Sequence, residues 1–337
     1  MDANEQAQLS NLHSQLFGVE PSSITPLKEQ ASARKTFRLA QAKRTVVGVI
    51  NHNLMENRAF VGFGKHFRAL SLAVPEILIV SADESAYLTE DLGDICLLDL
   101  LEKERKDSSD FPEQSQIYYR KALDDLIQFQ TRAGTGLDLL LCYQGKDFDA
   151  EAMRADLALF RDQFLKPSGV AMQEQALSAD FETLLAALTQ AQSGYFLYRD
   201  FQARNILVKD EKLFYIDYQS GRIGPAQYDV ASLLYQSKAN LPEEMRASLL
   251  EYYLGELTKS SAFDRNNFLK LFPCFVVLRL AQALGAYGRA GFGHGKDYFL
   301  MSIPYAVASL DREIAKLASL DLPELQRCIS LAAALFK

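Results

Sequence analysis

The sequence predicts an α+β protein with a small β-sheet lobe at the N-terminus and a large, mainly helical lobe at the C-terminus. At 337 residues the chain exceeds the usual size of one domain, about 100–200 residues. Strand-like runs are concentrated between residues 24 and 90, whereas helical spacing dominates beyond Leu97. We therefore expect lobes at residues 1–92 and 93–337.

The N-terminal elements follow from hydrophobic periodicity. Apolar residues at helical intervals predict a helix over 5–17, and two short β-type runs predict a hairpin over 24–50. Helical spacing returns over 56–70, and strands are expected at 76–80 and 86–90. These five segments complete a small α+β lobe. Further along the chain, residues 107–114 are the best candidate for an exposed loop.

Composition limits the classes of partner. A net charge of −7 argues against nucleic acid and membrane surfaces and leaves small polar ligands open. The four cysteines are far apart and form no C-x-x-C pair, which favours buried thiols in a reducing compartment. The N-terminus lacks the pattern of a signal peptide, and no stretch approaches about 18 apolar residues. We expect a cytoplasmic protein, and its oligomeric state stays open.

The strongest motif is Y-R-D-F-Q-A-R-N at 198–205, followed by F-Y-I-D at 214–217. Its pattern puts Asp200 in a loop between strands, Asn205 at the start of the next strand and Asp217 at the end of the strand paired with it. An isolated D-x-x-x-x-N is usually only a turn. Here an apolar strand ending in Asp follows at the distance that a kinase catalytic loop requires, which favours a functional site.

These residue types suit phosphoryl transfer. That reaction needs a carboxylate to orient and deprotonate the attacking hydroxyl, and hard oxygen ligands for the magnesium ion that bridges the nucleotide phosphates. We assign Asp200 as the candidate catalytic base. Asn205 and Asp217 are the candidate metal ligands.

With this motif the sequence resembles the aminoglycoside phosphotransferase and choline kinase superfamily, whose catalytic loop typically reads H-G-D-x-x-x-x-N. Within it the chain looks most similar to bacterial N-acetylmuramate/N-acetylglucosamine anomeric kinases, on segments that include L-T-E-D-L-G at 88–93, I-D-Y-Q-S-G-R-I-G-P-A-Q-Y-D at 216–229 and L-R-L-A-Q-A-L-G-A-Y-G-R at 278–289. The resemblance implies a two-lobed protein-kinase-like fold, ATP and Mg²⁺ as cofactors, and a small-molecule hydroxyl, of a sugar or amino sugar, as acceptor.

The chain departs from the superfamily pattern on the phosphate side. Tyr198 stands where the family usually has His, a residue that braces the loop. The strand at 45–50 has no lysine to grip the nucleotide phosphates, and the turn at 30–35 has no glycine. Arg34 and Lys35 are therefore our candidate phosphate ligands, because a cationic side chain must replace the missing lysine. A solvated basic strand edge is the alternative interpretation.

The resemblance also implies supporting roles. Glu90 and Leu92 fall where the segment that connects the lobes presents backbone groups to adenine. Glu56 begins the helix that normally carries the partner of the missing lysine, and Asp229 matches a carboxylate that buttresses the catalytic loop.

The acceptor side is less clearly marked. Arg204 and Arg222 are candidates for contact with the transferred phosphate or a substrate carboxylate, although loop arginines are more often exposed or paired. The aromatic series over 148–164 is typical of a core and is also where family kinases build the acceptor pocket. The glycine-rich segment 285–296 is either a mobile pocket rim or a helix end running into a loop.

Three functions stay open at this point. The first is an anomeric amino-sugar kinase. The second is another small-molecule kinase of the aminoglycoside, choline or homoserine type. The third is a nucleotide-binding pseudokinase, which the missing lysine suggests and the intact Asp200, Asn205 and Asp217 disfavour.

Overall fold

The computed structural model describes residues 2–27, 34–105, 111–260 and 262–336. It confirms the α+β class, with a small antiparallel sheet followed by a large helical lobe. Two sequence expectations fall partly outside these ranges, namely residues 30–33 of the glycine-free turn and residues 107–110 of the exposed loop. The boundary between the lobes at residue 92 stays a prediction.

The N-terminal lobe is a five-stranded antiparallel sheet, in the order β1-β2-β3-β5-β4, with two helices. The predicted helices and strands are present within two residues of their expected bounds, and the region expected to be a hairpin has a third strand, β1, that was not predicted. They are α1 (Ala3–Phe17), β1 (Ser23–Pro26), β2 (Lys35–Gln41), β3 (Arg44–Ile50), α2 (Leu54–Ala69), β4 (Ile77–Val80) and β5 (Ala86–Glu90).

The side chains of β2 point alternately to the two faces of this sheet. Successive side chains of a strand point to opposite faces, and Phe37 and Leu39 lie buried against Leu9 and Leu12 of α1. Lys35 has the same parity as Phe37, so it belongs to the face that α1 covers. Arg34 and other residues of the opposite parity belong to the other face.

Helix α2 packs against the helical lobe through its aromatic side chains. The ring of Phe60 stacks on Tyr218 at 4.6 Å, and Phe63 and Phe67 meet Phe196 edge-on at 5.9 and 5.2 Å. These contacts belong to one core that continues through the larger lobe, whereas α1 and its face of the sheet form a second, smaller core.

The C-terminal lobe is built from helices and two short ribbons. Its elements are α3 (Leu97–Arg105), α4 (Glu113–Arg132), α5 (Ala150–Phe160), α6 (Glu174–Leu188), β6 (Tyr195–Leu197), β7 (Ile206–Lys209), β8 (Lys212–Tyr215), β9 (Arg222–Gly224), α7 (Gln227–Leu234), α8 (Glu243–Ser260), α9 (Arg265–Gly288), α10 (Asp297–Leu300), α11 (Ile303–Ile314) and α12 (Pro323–Leu335). The expected hairpin is β7–β8. Strand β6 instead pairs with β9, whose three residues are too short for a periodic signal.

The segments that we considered for the acceptor pocket lie mostly in the core. Phe148, Phe160 and Phe164 are all buried, so the aromatic series supplies packing rather than a pocket wall. Gly285 and Gly288 continue α9 where it crosses α5 and the turn after it. A β-carbon on Gly288 would lie 1.9 Å from the carbonyl oxygen of Gln163. The first part of the glycine-rich segment is therefore a close helix crossing, and not a mobile rim.

One helix among the described residues, Arg265–Gly293, is long and apolar enough to cross a membrane by length and composition alone. Of its most apolar window, 78% is buried inside the protein. This burial is typical of the central helix of a globular core.

Candidate active site

Asp200 lies in the loop between β6 and a short 3₁₀ turn, Ala203–Asn205, as the motif predicts. Its side chain is one third exposed, so it can reach a substrate. Its Oδ1 accepts a hydrogen bond from Gln202 Nε2 at 3.1 Å and lies 3.5 Å from Arg279 Nη2 on α9. These two contacts restrict the carboxylate from the side of the helical lobe.

The backbone before Asp200 is held by a buried carboxylate. Asp229 on α7 accepts from the backbone N–H groups of Tyr198 at 2.7 Å and Arg199 at 2.9 Å. The hydroxyl of Tyr198 donates to the carbonyl of Ile216 at 2.8 Å and so ties the loop to the segment that carries Asp217. Burial raises the pKa of Asp229 to about 7. Asp229 therefore has the structural role that we expected.

Arg199 occupies a backbone conformation that favours glycine, with φ at 77°. The superfamily motif places glycine at this position. Here both terminal nitrogens of Arg199 bond to Asp156 of α5, at 2.8 and 2.9 Å, and the guanidinium carbon lies 4.7 Å from the ring centre of Phe148 and 4.9 Å from that of Tyr228. A buried bidentate pair is what retains an arginine in this strained position.

Asn205 and Asp217 are brought together beside Asp200. Asn205 Nδ2 donates to the carbonyl of Asp200 at 2.9 Å and lies 3.4 Å from Asp217 Oδ2. This orientation leaves the Asn205 Oδ1 as a hard oxygen donor. In the part of the chain that the structure describes, no group of three or more His, Cys, Asp or Glu side chains could hold a metal ion. The donor set instead fits Mg²⁺, which is usually held by one or two protein groups together with substrate phosphates.

Arg34 enters this site from the N-terminal lobe. Its guanidinium makes an ion pair with Asp217, and its Nε lies 3.4 Å from Glu56 Oε1 at the start of α2. Gln219 donates to Asp217 at 3.0 Å and to Glu56 at 3.3 Å, which completes the network. Burial alone would raise the pKa of Asp217, but Arg34 and Gln219 outweigh it and lower that pKa. Asp217 is therefore ionised although its side chain is only 17% exposed.

Lys35 is not brought to the site. It is 57% exposed and its Nζ pairs with Glu5 of α1, on the opposite face of β2. The alternation of side chains along a strand makes this separation unavoidable once Arg34 faces the cleft. Among the two candidate phosphate ligands, the geometry supports Arg34 only.

The segment between the lobes is fixed by a second arginine. Arg38 bonds to Asp91 at 2.6 and 3.0 Å and to Asp94 at 2.7 and 2.8 Å. Lys209 donates to the carbonyl of Asp91 at 2.9 Å. Glu90 ends β5 and Leu92 is buried beside it. These contacts hold the backbone that we expected to face adenine.

Sequence reasoning singled out the motif that contains Arg279 but gave this residue no role. Arg279 bonds to Ser232 at 3.0 Å and to Gln282, and its third contact is Asp200. A small cavity beside it has room for about one water molecule. Its polar lining consists of Gln202, Ser232, Tyr235, Gln236, Ser237, Arg279 and Tyr287. The available signal was an arginine within the largely apolar residues 271–284 of α9.

The two loop arginines have different surroundings. Arg222 bonds to the carbonyl and the side chain of Gln144, at 3.0 and 2.5 Å, and is not brought to the site. Arg204 precedes Asn205 and lies near Asp200, and its Nε is shielded from solvent without a hydrogen-bond partner. Only Arg204 is therefore placed to meet a ligand.

Comparison with known proteins gives a family match and three related sequences. The family described as "Phosphotransferase enzyme family" matches residues 23–264. An N-acetylmuramate/N-acetylglucosamine kinase of Pseudomonas aeruginosa is 26% identical, over 88% of this chain and 86% of its own length. The protein of the same description from Neisseria meningitidis is also 26% identical, over 73% of this chain and 72% of its own.

Solved structures with the same fold have low sequence identity. The choline kinase LicA of Streptococcus pneumoniae is 15% identical with a TM-score of 0.64, covering 94% of this chain and 100% of its own. The aminoglycoside phosphotransferase APH(4)-Ia is 16% identical with a TM-score of 0.57, covering 93% and 99%. At this identity the likeness concerns the fold.

Proposed function

The chain belongs to the phosphotransferase enzyme family, and from that premise we propose that it transfers the γ-phosphate of ATP to the anomeric hydroxyl of an N-acetylated amino sugar, with Mg²⁺. That it is a small-molecule phosphotransferase follows from the family and from its kinase relatives. The acceptor, the metal and the roles of individual residues are our proposal. They are supported by the arrangement of charges in the cleft.

On the catalytic side, Asp200 would orient the acceptor hydroxyl and take its proton. Its partial exposure and its contacts with Gln202 and Arg279 support this role, because a base must be accessible and held in one direction. An anomeric hydroxyl is more acidic than an ordinary alcohol. A carboxylate of ordinary strength is therefore a sufficient base.

On the nucleotide side, Asn205 and Asp217 would hold Mg²⁺, which when bound supplies positive charge to the phosphates. Arg34 would bind the α- and β-phosphates in place of the absent strand lysine. Its position beside both Asp217 and Glu56 supports this, because a related kinase lysine needs the same acidic neighbour on the first helix of the sheet lobe. The backbone around Glu90 and Leu92 would accept adenine.

The observation that carries the choice of acceptor is the presence of Arg204 and Arg279 around Asp200. Polycationic aminoglycosides require acidic walls, and choline requires an aromatic cage free of competing cations. Two arginines beside the base disfavour both. They suit a neutral or anionic sugar, and the relatives named as amino-sugar kinases support the same choice over most of the chain.

A single incubation series tests the proposal. The protein is mixed with magnesium-ATP and either N-acetylglucosamine, N-acetylmuramate, choline or an aminoglycoside, and the product is examined by phosphorus NMR. We expect a phosphate signal coupled to the anomeric proton with an N-acetylated sugar. Clear turnover of choline or an aminoglycoside, with no sugar phosphate, would favour the other small-molecule kinases. No turnover with intact ATP binding would favour a pseudokinase.

We also propose a cytoplasmic location, where ATP is available and where the four cysteines stay reduced. All four are buried free thiols. Burial raises the pKa of Cys142 and Cys274 to about 11, so these thiols are protonated at neutral pH. A packing role fits this chemistry.

A further inference from the structure

Arg204 differs from the other buried or partly buried arginines of the catalytic half. Arg199 has a bidentate carboxylate partner, Arg222 has the two oxygens of Gln144, and Arg279 has three polar partners. Within the described ranges no ion pair joins Arg204 to a carboxylate, and its Nε has no acceptor. The shielded Nε–H of Arg204 is therefore a donor without an acceptor, which costs free energy. An anionic ligand at this position would supply that acceptor.

The surroundings of Arg204 locate that ligand. Tyr287 of α9, Tyr298 of α10, Asp200 and Asp217 are all close enough to Arg204 to act on it electrostatically. Lys238 adds positive charge here, with its Nζ 3.3 Å from the centre of the Tyr298 ring. These helices cover the site from the larger lobe, whereas Arg34 approaches Asp217 from the sheet lobe. The position is therefore on the acceptor side of the base.

We propose that Arg204 binds a carboxylate of the acceptor and gives the enzyme a preference for an acidic N-acetylated hexosamine over a neutral one. The inference rests on the proposed amino-sugar kinase function. N-Acetylmuramate carries a lactyl carboxylate that N-acetylglucosamine lacks, so the two sugars differ in the group concerned. A planar guanidinium binds a carboxylate through two parallel hydrogen bonds.

The test compares kcat/KM for both sugars in the wild-type protein and in Arg204→Gln. The wild type should prefer N-acetylmuramate. In Arg204→Gln the value for N-acetylmuramate should fall by about 10–100-fold, the range for a charge-assisted contact, while that for N-acetylglucosamine changes by less than about threefold. The dissociation constant for magnesium-ATP should stay unchanged, because Arg204 is neither a proposed metal ligand nor the proposed phosphate ligand, which is Arg34 on the other lobe.

Two further variants test whether the effect on N-acetylmuramate depends on the guanidinium group of Arg204 in particular. Arg204→Lys keeps the charge without the planar fork and should lose only part of the preference, again without effect on the neutral sugar. Arg312→Gln removes the same charge from an exposed position on α11, where Arg312 bonds only to Ser309 among the described residues, and should leave both sugars unaffected. The melting temperature of Arg204→Gln should change little, because no ion pair joins Arg204 to a carboxylate within the described residues.

The outcomes separate this inference from the function on which it rests. Equal losses with both sugars, a weaker affinity for magnesium-ATP, or a wild type that shows no preference would overturn the role of Arg204 and leave the kinase assignment intact. If the wild type phosphorylates neither sugar, the proposed function is wrong and this inference is wrong with it.

Discussion

The two sides of the cleft are held in different ways. On the catalytic side, Asp229 anchors two successive backbone amides, Tyr198 ties the loop to the next segment, and Arg199 locks onto a helix. On the phosphate side, one arginine at the entry to β2 reaches the carboxylate of Asp217. Several contacts therefore fix the loop geometry, whereas the phosphate contact that we propose depends on the single side chain of Arg34. Substitutions on the two sides of the cleft should therefore have different effects on turnover, nucleotide affinity and stability.

The largest effect is expected on the catalytic side from Asp200→Asn. Turnover should fall by about 10²–10⁴-fold, the range for a positioned general base, because the amide cannot take the proton. Nucleotide affinity should change little, since Asp200 is not a proposed metal ligand. Steady-state kinetics and calorimetry with magnesium-ATP give the two quantities. Wild-type turnover in this variant would show that another group is the base.

Asp217→Ala should abolish the dependence of ATP affinity on magnesium. The neutral side chain cannot hold the ion, and Arg34 keeps only Glu56 of the two carboxylates described as its partners. Calorimetry with and without magnesium measures the difference. Asp210→Asn, in the exposed β7–β8 turn, is the matched control and should behave as the wild type. An unchanged magnesium effect in Asp217→Ala would place the metal elsewhere.

Asp229→Ala should act on stability first. Two shielded amides lose their acceptor, at about 1–3 kcal/mol each. The pKa in the folded protein, about 7, lies above the ordinary value of 3.8. The carboxyl group's contribution to stability is therefore complete below about pH 4 and is lost as the pH rises through 7. Urea unfolding should show a larger destabilisation at pH 5 than at pH 8.

Arg34→Ala should raise the dissociation constant of magnesium-ATP at least tenfold, which corresponds to about 1.4 kcal/mol for the loss of a charge-assisted contact. Arg34→Lys should restore part of the affinity. If nucleotide binding is unaffected by Arg34→Ala, the phosphates are held by other groups. The phosphate side of the cleft then does not depend on a single side chain.

The smallest effect is expected from Lys35→Ala, the neighbour of Arg34 in sequence. Lys35 pairs with Glu5 on the far face of the sheet and is more than half exposed. Loss of an exposed ion pair is worth at most about 1 kcal/mol of stability. Nucleotide affinity should stay within about twofold of the wild type. A tenfold loss would mean that the strand presents its other face to the cleft.

The two sides of the cleft also differ in how well their site residues could be predicted from the sequence. Asp200, Asn205 and Asp217 lie within 18 residues of one another, and their spacing on a loop and hairpin brings them together by local geometry alone. Arg34 and Lys35 could not be separated from the sequence, because a shift of one residue at the start of β2 exchanges the two faces. Their separation required the observed register between β2 and β3.

Contacts between distant segments could not be predicted from the sequence for a different reason. Arg199 and Asp156 are 43 residues apart, and Arg279 and Asp200 are 79 apart. Nothing in the spacing of either pair indicates a contact, since the packing of α5 and α9 decides it. The aromatic series over 148–164 has the same periodicity whether it lines a pocket or a core. The helix crossing at Gly285 and Gly288 places it in the core.

The packing of α2 also limits how the chain can be divided. Phe60, Phe63 and Phe67 are buried against side chains that follow residue 195, although α2 itself belongs to the first quarter of the chain. A fragment ending at Leu92 would expose these three phenylalanines on the side that the larger lobe covers, although Phe60 would still stack on Tyr87. Such a truncation should be insoluble on its own, and it should become soluble when the remainder of the chain is expressed beside it as a separate polypeptide.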